Sequence, residues 1–210
     1  MLATTVGSSN GIYHLRAGWA GQFRDLANGR RAIVDVYLAG DVIGLDTVLG
    51  TRPLEKILTL TALTIQKIPA EDALIQLMAH RPIALYVSWL LGQRQRRTDR
   101  LRAATSCLDA RGRLAMMLLD FYERLRHRRL ISGSIYNLPF THIQIGQYFG
   151  LTVMHINRVL PALHHEQVVH LEKHCVTILD LKRLATLARY RGIKSSSGSG
   201  DERSSKEAAD

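Results

Sequence analysis

Residues 11–68 alternate apolar and turn residues in short runs: IYHLRAGWA, GQFRDL, then RAIVDVYLAGDVIGL. That texture, broken by small polar residues, predicts β-strands. Asn28-Gly29 separates two of the runs and predicts a tight hairpin, because both central positions of such a turn want φ > 0. Gly40-Asp41 and Gly50-Thr51 punctuate the next segments. The run 57–68, ILTLTALTIQKI, is rich in β-branched residues and ends at Pro69. Roughly six strands in this stretch suggest a sandwich or barrel that is thin for closure and incomplete at its N-terminal edge.

From residue 70 the period changes. AEDALIQLMAH predicts a short helix that stops before Pro82. A long helix follows over 83–108. Ile83, Val87, Leu90, Arg94, Arg97, Leu101, Ala104 and Leu108 recur along it at spacings of three and four. This is a coiled-coil-like seam with an apolar start, a cationic middle and a weakly apolar end. One reading is an amphipathic helix lying on its own domain. The reading preferred is a dimerisation helix, because the apolar seam is longer than a small β-unit covers. Asp109 predicts an N-cap for a helix over 110–129 whose buried face is Leu114, Met117, Leu118, Phe121 and Leu125. Residues 131–140 read as a loop. The Ser/Gly-rich stretch 193–210 reads as a disordered tail.

Residues 141–179 carry the strongest motif. Thr141 caps a short helix, HIQIGQYFG, with Ile143, Ile145, Tyr148 and Phe149 available for a core. Gly150 ends it, Leu151 plugs the turn, and Thr152 caps a second helix, VMHINRVLPALHHE. A short helix, a glycine turn and a capped second helix is the helix-turn-helix pattern. VVHLEKHCVTILD then alternates around a polar centre and reads as a two-stranded wing. The second helix would enter a DNA major groove with Val153, Met154, His155, Asn157 and Arg158 outward, and Ile156, Val159, Leu160 and Leu163 inward. Arg158 suits guanine O6/N7 or a phosphate, Asn157 an adenine or a phosphate, and His155 a base acceptor. Val153 and Met154 suit a thymine methyl. For each of these the competing reading is a solvated surface residue. Pro161 removes the bond to the Asn157 carbonyl and predicts a kink or an end to the helix there.

Composition narrows the function. The 210 residues carry a net charge of +10, and 22 of the 28 basic side chains are Arg. Residues 81–131 hold 12 basic and 4 acidic residues, so most of the surplus sits on the helices. Such a balance suits a polyanionic partner. Two cysteines, Cys107 and Cys175, leave no room for a disulfide framework or a four-cysteine metal site within one chain, and suggest a reducing compartment. There is no apolar run near the roughly 18 residues of a membrane span, and MLATTVGSSNG does not read as a signal peptide. No nucleophile elbow, Walker loop or G-x-G-x-x-G is present, so the chain is not read as an enzyme.

These segments together resemble the CRP/FNR superfamily of bacterial transcription regulators, from about Gly11 to Arg191. AGWAGQFRDLANGRRAIVDVYLAGDVIGLD is similar to the later strands of that family's effector-binding β-roll. LPFTHIQIGQYFGLTVMHINRVLPALHHEQVVHL is similar to its recognition segment, and CVTILDLKRL to its wing and closing helix. The spacing Thr152, His155, Asn157, Arg158 resembles a branch that reads His-x-Asn-Arg, where better-known members carry Glu-x-x-Ser-Arg or Arg-Glu-x-x-x-Arg. The resemblance implies an α+β fold with a partial, cyclic-nucleotide-binding-domain-like β-roll, a long dimerisation helix and a C-terminal winged helix-turn-helix. The implied division is a sensor-like domain over 1–69, helices over 70–108, a DNA-binding domain over 109–192 and a tail over 193–210. It also implies a cytoplasmic homodimer on a near-palindromic double-stranded DNA operator, with RNA polymerase as a further partner and no membrane.

Departures from the family set expectations too. Members that bind cyclic AMP use a Gly-Glu and a later Arg-Ser/Thr. Here Gly44-Leu45 and Leu54-Glu55-Lys56 stand in those places, so a cyclic nucleotide is not expected. The N-terminal cysteines of the cluster-binding members are absent, and His14 and His80, the only haem-ligand candidates in the sensor part, read as surface or structural residues. No cofactor or metal is expected. The family's first β-roll strands are missing before IYHLRAGWA, which suggests a start site placed downstream or a degenerate sensor. Two rival functions remain: a non-specific architectural binder using the basic helices, and a regulator that heterodimerises with a full-length relative.

Overall fold

The computed structural model describes residues 11–45 and 56–189. The β-rich segment forms two three-stranded antiparallel sheets. One has the order β4-β1-β6, with β1 Gly11–Ala17, β4 Val42–Ile43 and β6 Thr64–Pro69. The other has the order β3-β2-β5, with β2 Trp19–Asp25, β3 Arg31–Leu38 and β5 Lys56–Thr59. Tyr13, Leu15, Ala20, Tyr37 and Ile43 form a small core of their own there. Two local expectations are corrected. The run 57–68 is two strands, parted at Leu60–Leu63 and assigned to different sheets. The tight turn expected at Asn28-Gly29 is a longer connection between Asp25 and Arg31, and only Gly29 of the pair has positive φ. The Asn28 side-chain oxygen accepts from the Arg30 N–H at 3.1 Å and closes that loop instead.

Helix α1, Ala70–Ala79, and helix α2, Arg81–Cys107, meet at 112°. Pro82 sits in the first turn of α2, where its missing N–H would have had no partner. At 27 residues α2 is about 40 Å long. Asp109 caps α3, Ala110–His127, by accepting from the Gly112 N–H at 2.8 Å. Leu114, Met117, Leu118 and Phe121 on α3 are fully buried, each worth about 1.5–3 kcal/mol of burial. No single helix among the described residues is long and apolar enough to cross a membrane.

The largest core crosses from the β-sheets into the C-terminal helices. Trp19, Phe23, Ile33, Val36 and Leu38 share one cluster with α3 and everything after it. Trp19 meets Phe121 edge-on at 5.2 Å and Phe140 at 6.3 Å. The β-unit is therefore packed onto the C-terminal part.

That packing corrects the expected seam of α2. Ala104 is buried in the chain's own core, and Leu101 and Leu108 lean on it. Arg94 Nε lies 3.1 Å from Asp35 Oδ2, and Arg97 lies 3.7 Å from Asp35 and 3.9 Å from Asp41. Val87 and Leu90 are half-buried, and Ile83 is exposed. The cationic middle thus faces two acidic residues of the same chain. The large apolar side chains left exposed here are Ile83, Leu85, Tyr86 and Trp89 on α2, with Leu74, Ile75 and Met78 on α1.

A charged junction binds the β-unit to α3. Asp41 accepts from the Leu38 N–H at 2.8 Å, from Arg124 at 3.0 Å and from Arg128 at 2.6 Å. Arg124 also donates to the Val36 carbonyl at 2.7 Å, and Arg128 to the Ala39 carbonyl at 2.7 Å. Burial alone would raise the Asp41 carboxyl, but Arg124, Arg128 and Arg97 hold it below its ordinary value.

Candidate nucleic-acid interface

Helix α4, His142–Phe149, and helix α5, Val153–His165, form the helix-turn-helix. Thr141 caps α4 with a capping box closed by Gln144. The C-cap Gly150 takes the left-handed conformation, φ 68°. Gly146 allows the tight turn: the Leu151 N–H donates to its carbonyl at 2.9 Å, and a Cβ there would lie 2.5 Å from the Leu151 oxygen. Ile145 and Phe149 are buried as expected, but Ile143 is 61 % exposed, on the outer side of α4.

Thr152 caps α5 in a second box, with His155 at the position usually held by Glu or Gln. Thr152 Oγ1 accepts from the His155 N–H at 3.3 Å, and His155 Nδ1 accepts from the Thr152 N–H at 3.4 Å. The unprotonated nitrogen is thereby Nδ1, and Nε2–H is the ring's remaining donor. Ile156, Val159 and Leu163 are buried, and Leu160 is half-buried. Pro161 lies on the exposed side, and α5 runs on through it to His165, so of the expected kink or end, the end does not occur.

The outward face of α5 holds Val153, Met154, Asn157 and Arg158, with His155 half-buried. Met154 is 80 % exposed. Arg158 has no hydrogen bond or ion pair among the described residues, so its guanidinium is available to a ligand. Thr141 and Thr152 stand at the helix starts with their hydroxyls engaged in the caps. His142, which no local pattern marks, lies against Asn157, with Nδ1 2.7 Å from Oδ1. The capping spacing reveals His155, but nothing in sequence pairs residues 142 and 157.

The far end of α5 is pinned. Glu166, its C-cap, pairs with Arg111 of α3 and at 2.7 Å with Arg183 of helix α6, Leu181–Leu187. These arginines hold the Glu166 carboxyl below its ordinary value. The wing is a hairpin of β8, Val169–Glu172, and β9, Cys175–Ile178. Lys173 and His174 both take positive φ, the conformation of a two-residue primed turn. A third strand, β7 Ile135–Asn137, pairs with β9. Asp180 caps α6 by accepting from the Arg183 N–H at 2.9 Å.

The basic surplus is unevenly available. Arg94, Arg97, Arg124 and Arg128 are drawn into the Asp35/Asp41 junction, and Arg111 is paired with Glu166. The helix surface offered to phosphates is thus less positive than the count for 81–131 suggests. A groove of about 670 Å³ separates the β2–β3 hairpin from the helix-turn-helix, with Arg30 and Arg31 across from Thr152 and Val153.

Residues 112–187 match the Crp-like helix-turn-helix domain family. The chain is 26% identical over 181 residues to the anaerobic regulatory protein of Haemophilus influenzae, spanning 86% of this chain and 70% of that one. It is also 26% identical over 178 residues to the fumarate and nitrate reduction regulatory protein of Vibrio cholerae, spanning 84% and 70%. Among solved structures it shares its fold with FixK2 from Bradyrhizobium japonicum, with a TM-score of 0.76 at 20% identity, covering 89% of this chain and 98% of that one.

Proposed function

We propose that this chain, which is similar to transcription regulators of the CRP/FNR family, is itself such a regulator and acts as a homodimer that reads a near-palindromic operator. The observation that carries this reading is the outer face of α5. Asn157 and Arg158 stand exposed beside His155, while Ile156, Val159, Leu163 and the pinned Glu166 fix the helix behind them. In this reading Arg158 grips a guanine edge or a phosphate, and Asn157 and His155 add base or backbone contacts. Val153 and Met154 meet thymine methyls, and Thr141 and Thr152 bring the helix starts to phosphates. The division of labour follows the chain: the β-unit senses, α1 and α2 join the protomers, and residues from Asp109 onward hold DNA.

The dimer contact is placed on the exposed apolar start of α2. Tyr86 and Trp89 stack at 5.9 Å on a face that the chain's own core leaves open. Ile83 and Leu85 on α2 and Met78 on α1 are exposed as well. A two-fold pairing of α2 helices would cover that face, as in a short coiled coil. Gly44-Leu45 supplies no carboxylate at the family's ribose-binding place, so the effector is inferred to be something other than a cyclic nucleotide; Leu54 and Glu55 lie outside the described residues. The further partner is RNA polymerase, in the bacterial cytoplasm.

The test is selection of bound duplexes from a random library by the purified protein at physiological salt. The expected result is an inverted repeat with half-sites about ten base pairs apart. Binding with a steep salt slope and no enriched sequence would overturn the reading in favour of an architectural binder. Binding only after a full-length relative is added would favour a heterodimer.

A further inference from the structure

Asn157 is held by a neighbour fifteen positions away on the other helix. His142 Nδ1 lies 2.7 Å from Asn157 Oδ1. A carboxamide oxygen only accepts, so the imidazole carries a proton on Nδ1 and donates it. Both side chains are exposed, so the contact seals no core. It caps neither helix, because Thr141 and Thr152 do that. An unheld asparagine turns its amide over and offers a donor or an acceptor with equal ease. With Oδ1 occupied by His142, the end turned outward is the Nδ2 amino group.

The neighbouring groups are set the same way. His155 Nδ1 accepts from the Thr152 N–H, which leaves Nε2–H as the ring's remaining donor. Arg158 has N–H donors alone. Asn157, His155 and Arg158, the three polar groups of α5 here, therefore present donors.

We propose that His142 is a specificity-determining positioning residue: by holding the Asn157 oxygen it turns the Asn157 amino group outward, so that the base met by Asn157 is recognised through an acceptor edge. Guanine shows N7 and O6 in the major groove and thymine shows O4, whereas cytosine shows an amino donor. Cytosine at that position would set donor against donor and leave both unpaired. This role presupposes that the chain reads an operator as proposed above.

The test starts from the operator selected by the full-length protein. Affinity is measured for every single-base-pair variant with the unaltered protein, His142→Ala, His142→Gln, Asn157→Ala and the double variant. The unaltered protein is expected to lose roughly fivefold or more when cytosine faces Asn157, the scale of one lost hydrogen bond. His142→Ala should lose that discrimination at one position of each half-site and keep it everywhere else. His142→Gln, which retains an N–H donor, should restore it. In the Asn157→Ala background His142→Ala should change no base preference. Unchanged preferences in His142→Ala, an even loss at all positions, or an effect that persists without Asn157 would each overturn the proposal. If the unaltered protein enriches no operator at all, the operator reading itself falls and this role with it, before any variant is compared.

Discussion

Asp41→Asn isolates the junction between the β-unit and α3. The change is nearly isosteric; it removes the charge and turns one of the two accepting oxygens into an amino donor. It leaves Arg124, whose side chain is 10% exposed, and Arg128, at 26%, without their shared carboxylate. Breaking a buried ion pair from one side costs about 3–5 kcal/mol. Arg124 keeps the Val36 carbonyl and Asp120, and Arg128 keeps the Ala39 carbonyl and some solvent, which argues for the lower end, about 3 kcal/mol. For a chain this long, that corresponds to a fall in Tm of roughly 6–12 °C. The assay is urea and thermal unfolding of both proteins at one protomer concentration, repeated down a pH series. Asp41 has a folded pKa below its ordinary value of 3.8, so its contribution is present above that value and lost as pH falls through the folded pKa. The unaltered protein should therefore lose stability on acidification, and the gap to Asp41→Asn should close at the acid end. A difference under about 1 kcal/mol at neutral pH, or a gap that stays constant down the series, would refute the view that this junction holds the two parts together.

Arg158→Ala should abolish protection of the operator while leaving the dimer and the melting temperature unchanged, because Arg158 is exposed and has no partner among the described residues; footprinting at fixed salt checks this, with a loss of about tenfold or more expected in affinity. Trp89→Asp should shift the protein from dimer to monomer in sedimentation, since the ring is 54% exposed on the face proposed to meet its partner; a dimer of unchanged strength would move the contact elsewhere. Gly146→Ala should destabilise the helix-turn-helix by about 1–3 kcal/mol, because the added methyl would press on the Leu151 carbonyl backbone 2.5 Å away; thermal unfolding reads it.

Much of the recognition segment was legible because its devices are local. Each cap acts on an N–H two or three residues ahead, so Asp109, Thr141 and Thr152 could be read as helix starts from their own neighbourhoods, and the structure has them there. The buried face of α3 followed from its period, and all five expected residues are 6% exposed or less. The misreadings lie where the partner is remote. Ile143 has the period of a core residue, but the neighbouring elements leave its side of α4 uncovered. The 57–68 run has uniform β character, and its division between two sheets depends on pairing with β1 and β2, more than thirty residues upstream. The exposed His142–Asn157 contact joins two helices across a turn, and no spacing rule marks it.

The sequence by itself determined most of the strands and helices, where the side-chain-capped helices begin, and that a winged helix-turn-helix lies at the C-terminal end; β7, within a stretch that reads as a loop, is the exception. Those are matters of period, capping and backbone conformation, settled within a few residues. Only the tertiary structure decided which face of α2 turns inward. Arg94 and Arg97 look like the middle of a dimer seam until Asp35 and Asp41 are brought beside them from some sixty residues away. A helix shows the same periodicity whether its own chain or a second copy covers a face. The distinction belongs to the closing of a core that runs from Trp19 to Ala188, and no local stretch of chain contains it.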